Sequence, residues 1–475
     1  MPKNSYLSFN LFLQIYITII IKLMTSSEIG HSKKIKSFRL HLRETIQLAL
    51  PVIVGQLGII LMGVVDNIMV GRIGYYPLAA SALANGIFFL VFVIGMGVTY
   101  AVSPIVSNAV GSGKAEQAGN ILKQALVINL FIGVILGIIT YYSVGLFHFM
   151  HQKEKVVEYA IPYLQILAFS IPMMMTFLTY KHFLEGLSIM RPAMIIVLLA
   201  NLVNVFANYC LIYGNFGFPR LELNGAGIAT LGSRFFMMMM LIIFLNQNMR
   251  VKKYKPHLFS YIIDWKVTKE LLALGLPSGV QYFFEVGAFF FTAIMIGWFG
   301  ARQLAAHQIA LSIASITYMM VVGVSAAAAI RVAKFVGQGN KLETLRAGLS
   351  ALTLAAGFMS LCGILFFLTN NILPELYISN IEVKTIAASL ILIAAFFQIF
   401  DGVQCVGLGI LRGISDVTYP TVVTFVAYWI VGIPLGALLA FYFGLNVQGI
   451  WIGLSVGLAT SASLLSFRFI KKTKS

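Results

Sequence analysis

Long apolar segments recur along this chain with short polar breaks, and they constrain its fold more than any other feature. Of its 475 residues, 59% are hydrophobic and 10% are charged, and the mean hydropathy is +0.90. A soluble domain has about a quarter charged residues, so this composition indicates an integral membrane protein. Long unbroken apolar runs favour helices over the alternating pattern of a membrane β-barrel. At about 20 apolar residues per crossing, the chain has room for about a dozen helices.

We place twelve predicted spans in two sets of six. The first set lies near residues 46–71, 78–104, 121–145, 159–180, 193–213 and 224–246, and the second near 270–298, 304–330, 347–368, 383–410, 419–443 and 447–468. Pro51 and Pro277 lie near the starts of two spans, which is where a helix tolerates proline best. We therefore expect both prolines to mark helix starts.

The distribution of Lys and Arg predicts the orientation. With the N-terminus inside, 26 of them fall on the inner side and 6 on the outer side, which leaves Arg234 within a span. Inner loops of membrane proteins carry such an excess, so both termini are predicted to be cytoplasmic and the membrane to be the inner (plasma) membrane. The same bias accounts for the net charge of +17 without a nucleic-acid partner.

The chain repeats itself. Four pairs of short segments match at a constant offset of 226 residues: Leu48–Pro51 with Leu274–Pro277, Ile68–Gly71 with Ile294–Gly297, Gly97–Val98 with Gly323–Val324, and Gly111–Gly113 with Gly337–Gly339. Six spans per repeat is an even number, so both halves have the same orientation. We predict two homologous six-helix lobes related by a pseudo-two-fold axis along the membrane normal, a known transporter design with its substrate site between the lobes.

The repeat predicts the domain boundaries. Residues 46–246 form the N-lobe, 247–269 a cytoplasmic linker, 270–468 the C-lobe and 469–475 a cytoplasmic tail. Residues 1–45 are expected to form a cytoplasmic segment. Its apolar part is short for a span, so Met24 is a candidate for the true start, and an interfacial helix is the alternative.

Three carboxylates lie well inside apolar segments, out of sixteen acidic residues in the chain. They are Asp66, Glu285 and Asp401. An ionisable group in hydrocarbon is costly, so it normally faces a protein interior or a wet cavity and marks function. The repeat pairs Asp66 with Thr292 and Glu285 with Ile59, so the acids are not part of the duplicated scaffold. This asymmetry favours a functional role over a structural one.

Asp66 has candidate partners in three asparagines of the fifth span. Asn201, Asn204 and Asn208 have the spacing i, i+3 and i+7, so they share one face of a helix. The carboxylate with the Asn204 and Asn208 amide oxygens, and with the Thr230 hydroxyl, would suit a hard cation such as Na⁺. The same carboxylate could instead take a proton. Polar bridging between helices is the alternative, and it applies most readily to Asn201.

The two acids of the C-lobe lie among aromatic residues. Glu285 is preceded by Gln281, Tyr282 and Phe284, and Asp401 follows Phe400. A carboxylate with aromatic rings suits a flat organic cation, because the rings add stacking and cation–π attraction. We predict that Glu285, Asp401, Gln281, Tyr282 and Phe284 bind substrate, and that both acids also take part in cation coupling. Lipid contact or core packing is the alternative for any single ring.

No arrangement of residues in the sequence predicts catalysis. The three cysteines lie in apolar segments without metal-ligand spacing, and no nucleophile–histidine–acid or zinc-protease pattern occurs. The chain is therefore not expected to be an enzyme or to need a cofactor.

Several motifs together resemble one known family. They are Val65–Gly71, Phe283–Val286, Asp401–Gln404 with Leu411–Gly413, and Arg191–Pro192 leading to Asn204–Asn208. In order and spacing they resemble the multidrug and toxic compound extrusion (MATE) family, and its NorM-type branch in particular, from about residue 40 to 470. One departure is Asn67, where the family commonly has threonine.

The resemblance implies two six-helix bundles that alternate between outward-open and inward-open states. It implies export of organic cations in exchange for Na⁺ or H⁺, by a protein that we expect to be a monomer in the lipid bilayer. By position, Asp66, Asn204 and Asn208 look like the cation site, and Glu285 and Asp401 like the acids of coupling and substrate binding. Alternatives are a flippase for lipid-linked precursors, a channel or sensor, and a membrane enzyme. The sequence leaves the coupling ion and the substrate open.

Overall fold

The computed structural model describes residues 37–149, 153–248, 251, 254, 263–378 and 380–474. Within these ranges, twelve helices are long and apolar enough to cross a membrane, so the predicted all-α membrane fold is confirmed. In chain order they are α1 (Phe38–Gly71), α2 (Tyr75–Gly111), α3 (Gln117–Gly145), α4 (Glu154–Gly186), α5 (Arg191–Tyr213), α6 (Glu222–Gln247), α7 (Trp265–Gly297), α8 (Ala301–Gly337), α9 (Lys341–Thr369), α10 (Ile381–Gly413), α11 (Thr418–Tyr442) and α12 (Asn446–Lys474). The candidate start at Met24 lies outside the described residues.

Several helices begin before the predicted spans, and in four of these a side chain caps the first turn ahead of the apolar run. The Ser37 hydroxyl accepts a hydrogen bond from the Leu40 amide and caps α1. The Asp264 carboxylate does the same for α7. Pro51 and Pro277 therefore lie inside helices, and the expectation that they mark helix starts was wrong.

A proline interrupts α2. The regular helix stops after Thr99 and resumes at Val102. Pro104 has no N–H to donate to the carbonyl four residues earlier, which belongs to Tyr100. The interruption places the buried Tyr100 at the boundary between the two lobes, where its ring stacks on Tyr282 of α7.

Contacts between the lobes follow the predicted two-fold symmetry. Gly97 of α2 lies so close to Gly279 of α7 that an added Cβ would be 2.6 Å from the Gly279 nitrogen. Its counterpart by the 226-residue offset, Gly323 of α8, packs in the same way on Ile53 of α1, which corresponds to Gly279. Two contacts related by one offset in this way are what a pseudo-two-fold axis between α1–α6 and α7–α12 requires.

Further symmetric contacts lie at one end of the molecule, where α2 and α8 finish. Gly111 packs on the Lys334 backbone, and its counterpart Gly337 packs on the Asn108 backbone. The Ser107 hydroxyl of α2 donates to the Ile330 carbonyl of α8 at 2.7 Å. We call this end, defined by the residues just named, the closed end.

Buried Arg331 of α8 ties the start of α1 to the C-lobe at the closed end. Its guanidinium donates to the His41 carbonyl at 2.8 Å and to the Thr45 hydroxyl at 2.6 Å. It also pairs with the Glu44 carboxylate at 2.8 Å. The His41 ring in turn lies 3.2 Å from the Glu343 carboxylate of α9. A buried cation with this many partners fixes the relative position of two helices, because moving it would leave a charge unpaired.

Candidate functional site

The carboxylate of Asp66 is held in the N-lobe by two side chains that donate hydrogen bonds. Its Oδ1 accepts from Asn208 Nδ2 at 2.5 Å, and its Oδ2 accepts from the Thr230 hydroxyl at 2.9 Å. Asn208 Nδ2 also donates to Asn204 Oδ1 at 3.1 Å. Asn204 and Asn208 are fully buried, whereas Asp66 is partly exposed. The structure therefore brings together four residues that the sequence selected from three separate helices.

The orientation of these partners differs from the expected ligand set in one respect. The Asn208 nitrogen, and not its oxygen, faces Asp66, so the carboxylate is satisfied by donors. A half-turn of this amide about its last side-chain bond exchanges nitrogen and oxygen, and would present an oxygen to a cation. The arrangement is thus compatible with an ionised carboxylate at rest that later receives a proton or a hard cation.

Asn201 has a bridging role instead. Its Nδ2 donates to the Gly58 carbonyl of α1 and to the Val197 carbonyl of its own helix, both at 2.9 Å. This pair of bonds fixes α5 against α1 about two turns away from Asp66. Asn201 therefore matches the alternative of helix-to-helix bridging, and it positions the two helices that carry Asp66 and Asn208.

A cavity of 370 Å³ lies between the lobes, and helices of both lobes line it. Four charged residues contribute to its wall: Glu285 and Asp401 from the C-lobe, and Lys181 and Arg234 from the N-lobe. The rest of the wall is mainly apolar and rich in Phe, Tyr and Met, with Gln56 and Ser315 as further polar residues. Ligand pockets commonly combine such walls with a few convergent polar groups, so this cavity is the candidate substrate site.

Glu285 and Asp401 reach this cavity from α7 and α10. Both are buried, and Glu285 Oε1 accepts a hydrogen bond from the Tyr318 hydroxyl of α8 at 3.3 Å. The position equivalent to Glu285 in the N-lobe, Ile59, lines the opposite wall. The duplicated scaffold thus presents an apolar residue on one side and an acid on the other, and the cavity is charged asymmetrically.

Three of the five predicted substrate-binding residues line the cavity: Glu285, Asp401 and Tyr282. Phe284 packs on Phe425 of α11 instead, and its carbonyl accepts from a tryptophan of that helix. Gln281 is buried and does not contribute to the described wall. The periodicity of α7 accounts for Phe284, which follows Tyr282 by two positions and so faces the other side of the helix. It does not account for Gln281, which lies four positions before Glu285 on the same face.

Further residues that sequence reasoning did not assign to the site line the cavity or lie next to it. Tyr100 and Tyr318 lie on the cavity wall, and Arg412 of α10 lies 4.9 Å from the Tyr100 ring centroid. Below them, Glu185 bridges Lys181 and His182 of α4. Arg234 also lies on the wall, and of these residues it alone gave a signal in the sequence, as a lone cation within a span. The others are tyrosines and residues near helix ends, whose role depends on how the lobes meet.

Sequence comparisons identify relatives along nearly the whole chain. The MatE family model matches residues 51–210 and 277–438. The chain is 32% identical over 458 residues to a probable multidrug resistance protein NorM of Mesorhizobium japonicum, which covers 95% of this chain and 98% of the relative. It is 35% identical to the protein of the same name from Rhodopseudomonas palustris, over 93% of this chain and 94% of the relative. Multidrug resistance protein MdtK of Proteus mirabilis is 31% identical, over 90% and 94%.

Solved structures share the fold. The eukaryotic MATE transporter AtDTX14 matches with a TM-score of 0.84 at 22% identity, over 92% of this chain and 98% of that one. An outward-facing multidrug resistance MATE family transporter of the MOP superfamily also gives 0.84, at 21% identity over 93% and 99%. The two matched halves begin at Pro51 and Pro277, the positions at which the repeat was read from the sequence. The chain therefore belongs to the MATE family of membrane transporters, in its NorM-type branch.

Proposed function

We propose that this protein is a secondary active multidrug efflux antiporter that exports organic cations in exchange for Na⁺ or H⁺. The observation that carries the proposal is the cavity between the lobes, where Glu285 and Asp401 lie together among aromatic side chains. Two buried carboxylates attract a cation, and the rings bind a flat apolar one. The names of the NorM and MdtK relatives agree with multidrug export.

Alternating access is supported by the symmetric contacts at the closed end. This end carries Lys114, Lys334 and Lys341, and by the positive-inside rule it faces the cytoplasm. The described conformation is then outward-facing, with both termini cytoplasmic in the inner membrane. Exchange follows if the ion and the drug prefer different conformations, since a ligand shifts an equilibrium only by its differential affinity. No cofactor besides the coupling ion is needed.

The coupling ion acts at Asp66 in this proposal. Its carboxylate accepts two hydrogen bonds, which are lost or rearranged when a proton or Na⁺ binds. Glu285 and Asp401 of the C-lobe bind the drug and can also exchange protons. A flippase for lipid-linked anionic precursors is less well supported, because Glu285 and Asp401 would repel such a headgroup and one of the two cations on the wall, Lys181, already pairs with Glu185.

Transport by the purified full chain in proteoliposomes tests the proposal. Ethidium movement is followed by fluorescence under an imposed Na⁺ gradient, an imposed pH gradient, or neither. We expect one gradient to drive ethidium uphill, and an ethidium gradient to drive the same ion in return. Asp66→Asn should keep the fold and lose ion-driven export.

Glu375→Gln is the matched control, because it also replaces a carboxylate by an amide but on the exposed surface. It should transport at the wild-type rate. Ethidium movement without ion exchange would indicate a channel and refute antiport. Wild-type transport by Asp66→Asn would refute the role given to Asp66.

A further inference from the structure

Asp401 is held differently from the other two acids. Asp66 accepts two hydrogen bonds, and Glu285 accepts one from the Tyr318 hydroxyl. Asp401 is buried and lies on the cavity wall, but among the residues that the structure describes no side chain donates a hydrogen bond to it. The position of its carboxylate therefore depends on how firmly the surrounding part of α10 is fixed.

Two glutamines flank Asp401 on α10. Gln398 lies three residues before it and Gln404 three residues after it, which is less than one helical turn in each direction. Viewed along the helix, Asp401 points between the two glutamines, about 60° from each. Both glutamines are fully buried, and buried polar side chains are kept because they are hydrogen-bonded.

Each glutamine joins α10 to a different helix. Gln398 Nε2 donates to the Thr317 hydroxyl oxygen of α8 at 2.9 Å. Gln404 Oε1 accepts from the Tyr428 hydroxyl of α11 at 3.0 Å. Tyr428 is fully buried and lies in a π-helical segment of α11, an irregularity that is frequent at functional sites. The helix that carries Asp401 is thus attached to a neighbour on both sides of the carboxylate.

The bridge to α8 also reaches the second acid of the C-lobe. Thr317 directly precedes Tyr318, whose hydroxyl donates to Glu285 Oε1 at 3.3 Å. The bond between Gln398 and Thr317 therefore connects the helix of Asp401 to the residue next to the one that holds Glu285. These contacts fix the two carboxylates relative to each other on the cavity wall.

The N-lobe lacks both bridges. Its α4 corresponds to α10 at an offset of 226 or 227 residues, and both glutamine positions are apolar there: Ile171 or Pro172, and Phe177 or Leu178. The shared six-helix scaffold therefore does not require the glutamines. They accompany the acid of the C-lobe, as the Asn201 bridge between α5 and α1 accompanies Asp66 of the N-lobe.

We propose that Gln398 and Gln404 are positioning residues for substrate recognition. By fixing α10 on both sides of Asp401, they set where its carboxylate meets the organic cation. They act through Asp401, since neither glutamine belongs to the described cavity wall. This inference rests on the proposed function and adds the residues that determine the geometry of its cation-binding acids.

Coulomb's law gives the size of the effect. When a carboxylate moves from about 4 Å to about 5 Å from a bound cation, at an effective dielectric constant of about 20, binding weakens about fourfold. A neutral ligand in the same cavity does not depend on this charge, so its affinity should stay the same. Loss of a bridge that only stabilises the fold would affect both ligands alike.

Equilibrium binding to the full chain in lipid nanodiscs tests the inference, with ethidium as the cation and Nile red as the neutral probe. Thr317→Val and Tyr428→Phe each remove one hydroxyl and keep the shape of the side chain. We expect each to weaken ethidium binding about fourfold and to change Nile red binding less than about twofold. Thr317→Ser retains the hydroxyl and should keep ethidium binding within about twofold of wild type.

The Asp401→Asn background separates positioning from a general structural loss. If the bridges act through the Asp401 charge, Thr317→Val and Tyr428→Phe should have no further effect on ethidium binding once that charge is removed. Independent changes would instead multiply in the double variants. An equal loss in the wild-type and Asp401→Asn backgrounds would therefore overturn the inference.

Thr179→Val is the matched control. It also breaks a buried bond between an amide and a threonine, in which Asn129 Nδ2 donates to Thr179 Oγ1 at 2.8 Å, but it does so inside the N-lobe and away from the described cavity wall. It should leave ethidium binding unchanged. A loss equal to that of Thr317→Val, or unchanged ethidium binding in both bridge variants, would overturn the inference.

A second variant keeps the test informative if Thr317→Val does not fold, because that change leaves a buried glutamine without a partner. Thr317→Val combined with Gln398→Leu removes both partners at once, which is better tolerated, and the same fourfold loss of ethidium binding is expected. Failure of the proposed function has a different signature, namely no ion-driven ethidium exchange by wild-type protein in proteoliposomes.

Discussion

One methyl group added at the contact between Gly97 and Gly279 should shift the equilibrium between the outward-open and inward-open conformations. In Gly97→Ala, the new Cβ would lie 2.6 Å from the Gly279 nitrogen, whereas ordinary contact begins near 3.4 Å. Both neighbours are backbone, so no side chain can rotate away. The Gly279 Cα lies closer still than the nitrogen, so the lobes must separate by roughly 1 Å at this point, or the closed end must open.

Overpacking of this kind costs about 1–3 kcal/mol, and here it applies only to the conformation in which the closed end is formed. The gain in helix propensity from Gly to Ala is the same in both conformations, so it cancels. The equilibrium between a closed and an open end should shift about 5–150-fold toward the open one.

Cross-linking across the closed end measures this shift. Ser112 and Gln338 are exposed, occupy equivalent turns of the two lobes, and can be replaced by cysteine in a variant lacking the three native cysteines. A short bifunctional reagent should join them at a lower rate in Gly97→Ala. Gly86→Ala on the same helix is the control, since nothing lies within 4 Å of its added Cβ. Equal cross-linking in the two alanine variants would refute the argument.

Two further predictions concern the attachment of the helices at the closed end. Arg331→Met removes three buried hydrogen bonds to α1 and a fourth, partly buried one to Glu44, and it should lower the free energy of unfolding by about 3–5 kcal/mol. Arg302→Met breaks an exposed ion pair and should lower it by less than about 1 kcal/mol. Thermal unfolding in detergent that ranks the two variants the other way would contradict this expectation. The backbone N–H of Val267, followed by the Asn120 side chain, holds the pKa of Asp264 below its ordinary value. A lowered pKa means that the ionised Asp264 carboxylate stabilises the folded state. This stabilisation is complete above a pH of about 4, and it is lost as the pH falls through the lower pKa that Asp264 has in the folded protein. Asp264→Asn still caps α7 but does not titrate, so its unfolding temperature should fall less steeply than that of wild type below a pH of about 4, and identical pH profiles would count against the assignment.

The acids of the candidate site could be selected from the sequence because hydrocarbon makes a buried charge costly. Asp66, Glu285 and Asp401 stand out against apolar neighbours in any arrangement of the helices. The asparagine spacing on α5 is likewise a local property, so the grouping of Asn204 and Asn208 with Asp66 was predictable. The orientation of the Asn208 amide could not be predicted, because it depends on which atom of another helix, α1, lies opposite it.

Membrane insertion, helix number and the two-fold repeat were determined by the sequence alone. Hydropathy and a constant offset are properties of the chain that do not depend on how its helices pack. The tertiary structure alone decided which residues face the cavity. Phe284 and Tyr282 are equally aromatic in the sequence, but only Tyr282 lies on the wall. Arg234 reads as an isolated cation in the sequence, but the fold places it on the same cavity wall as Glu285 and Asp401, because helices that are distant along the chain pack together there.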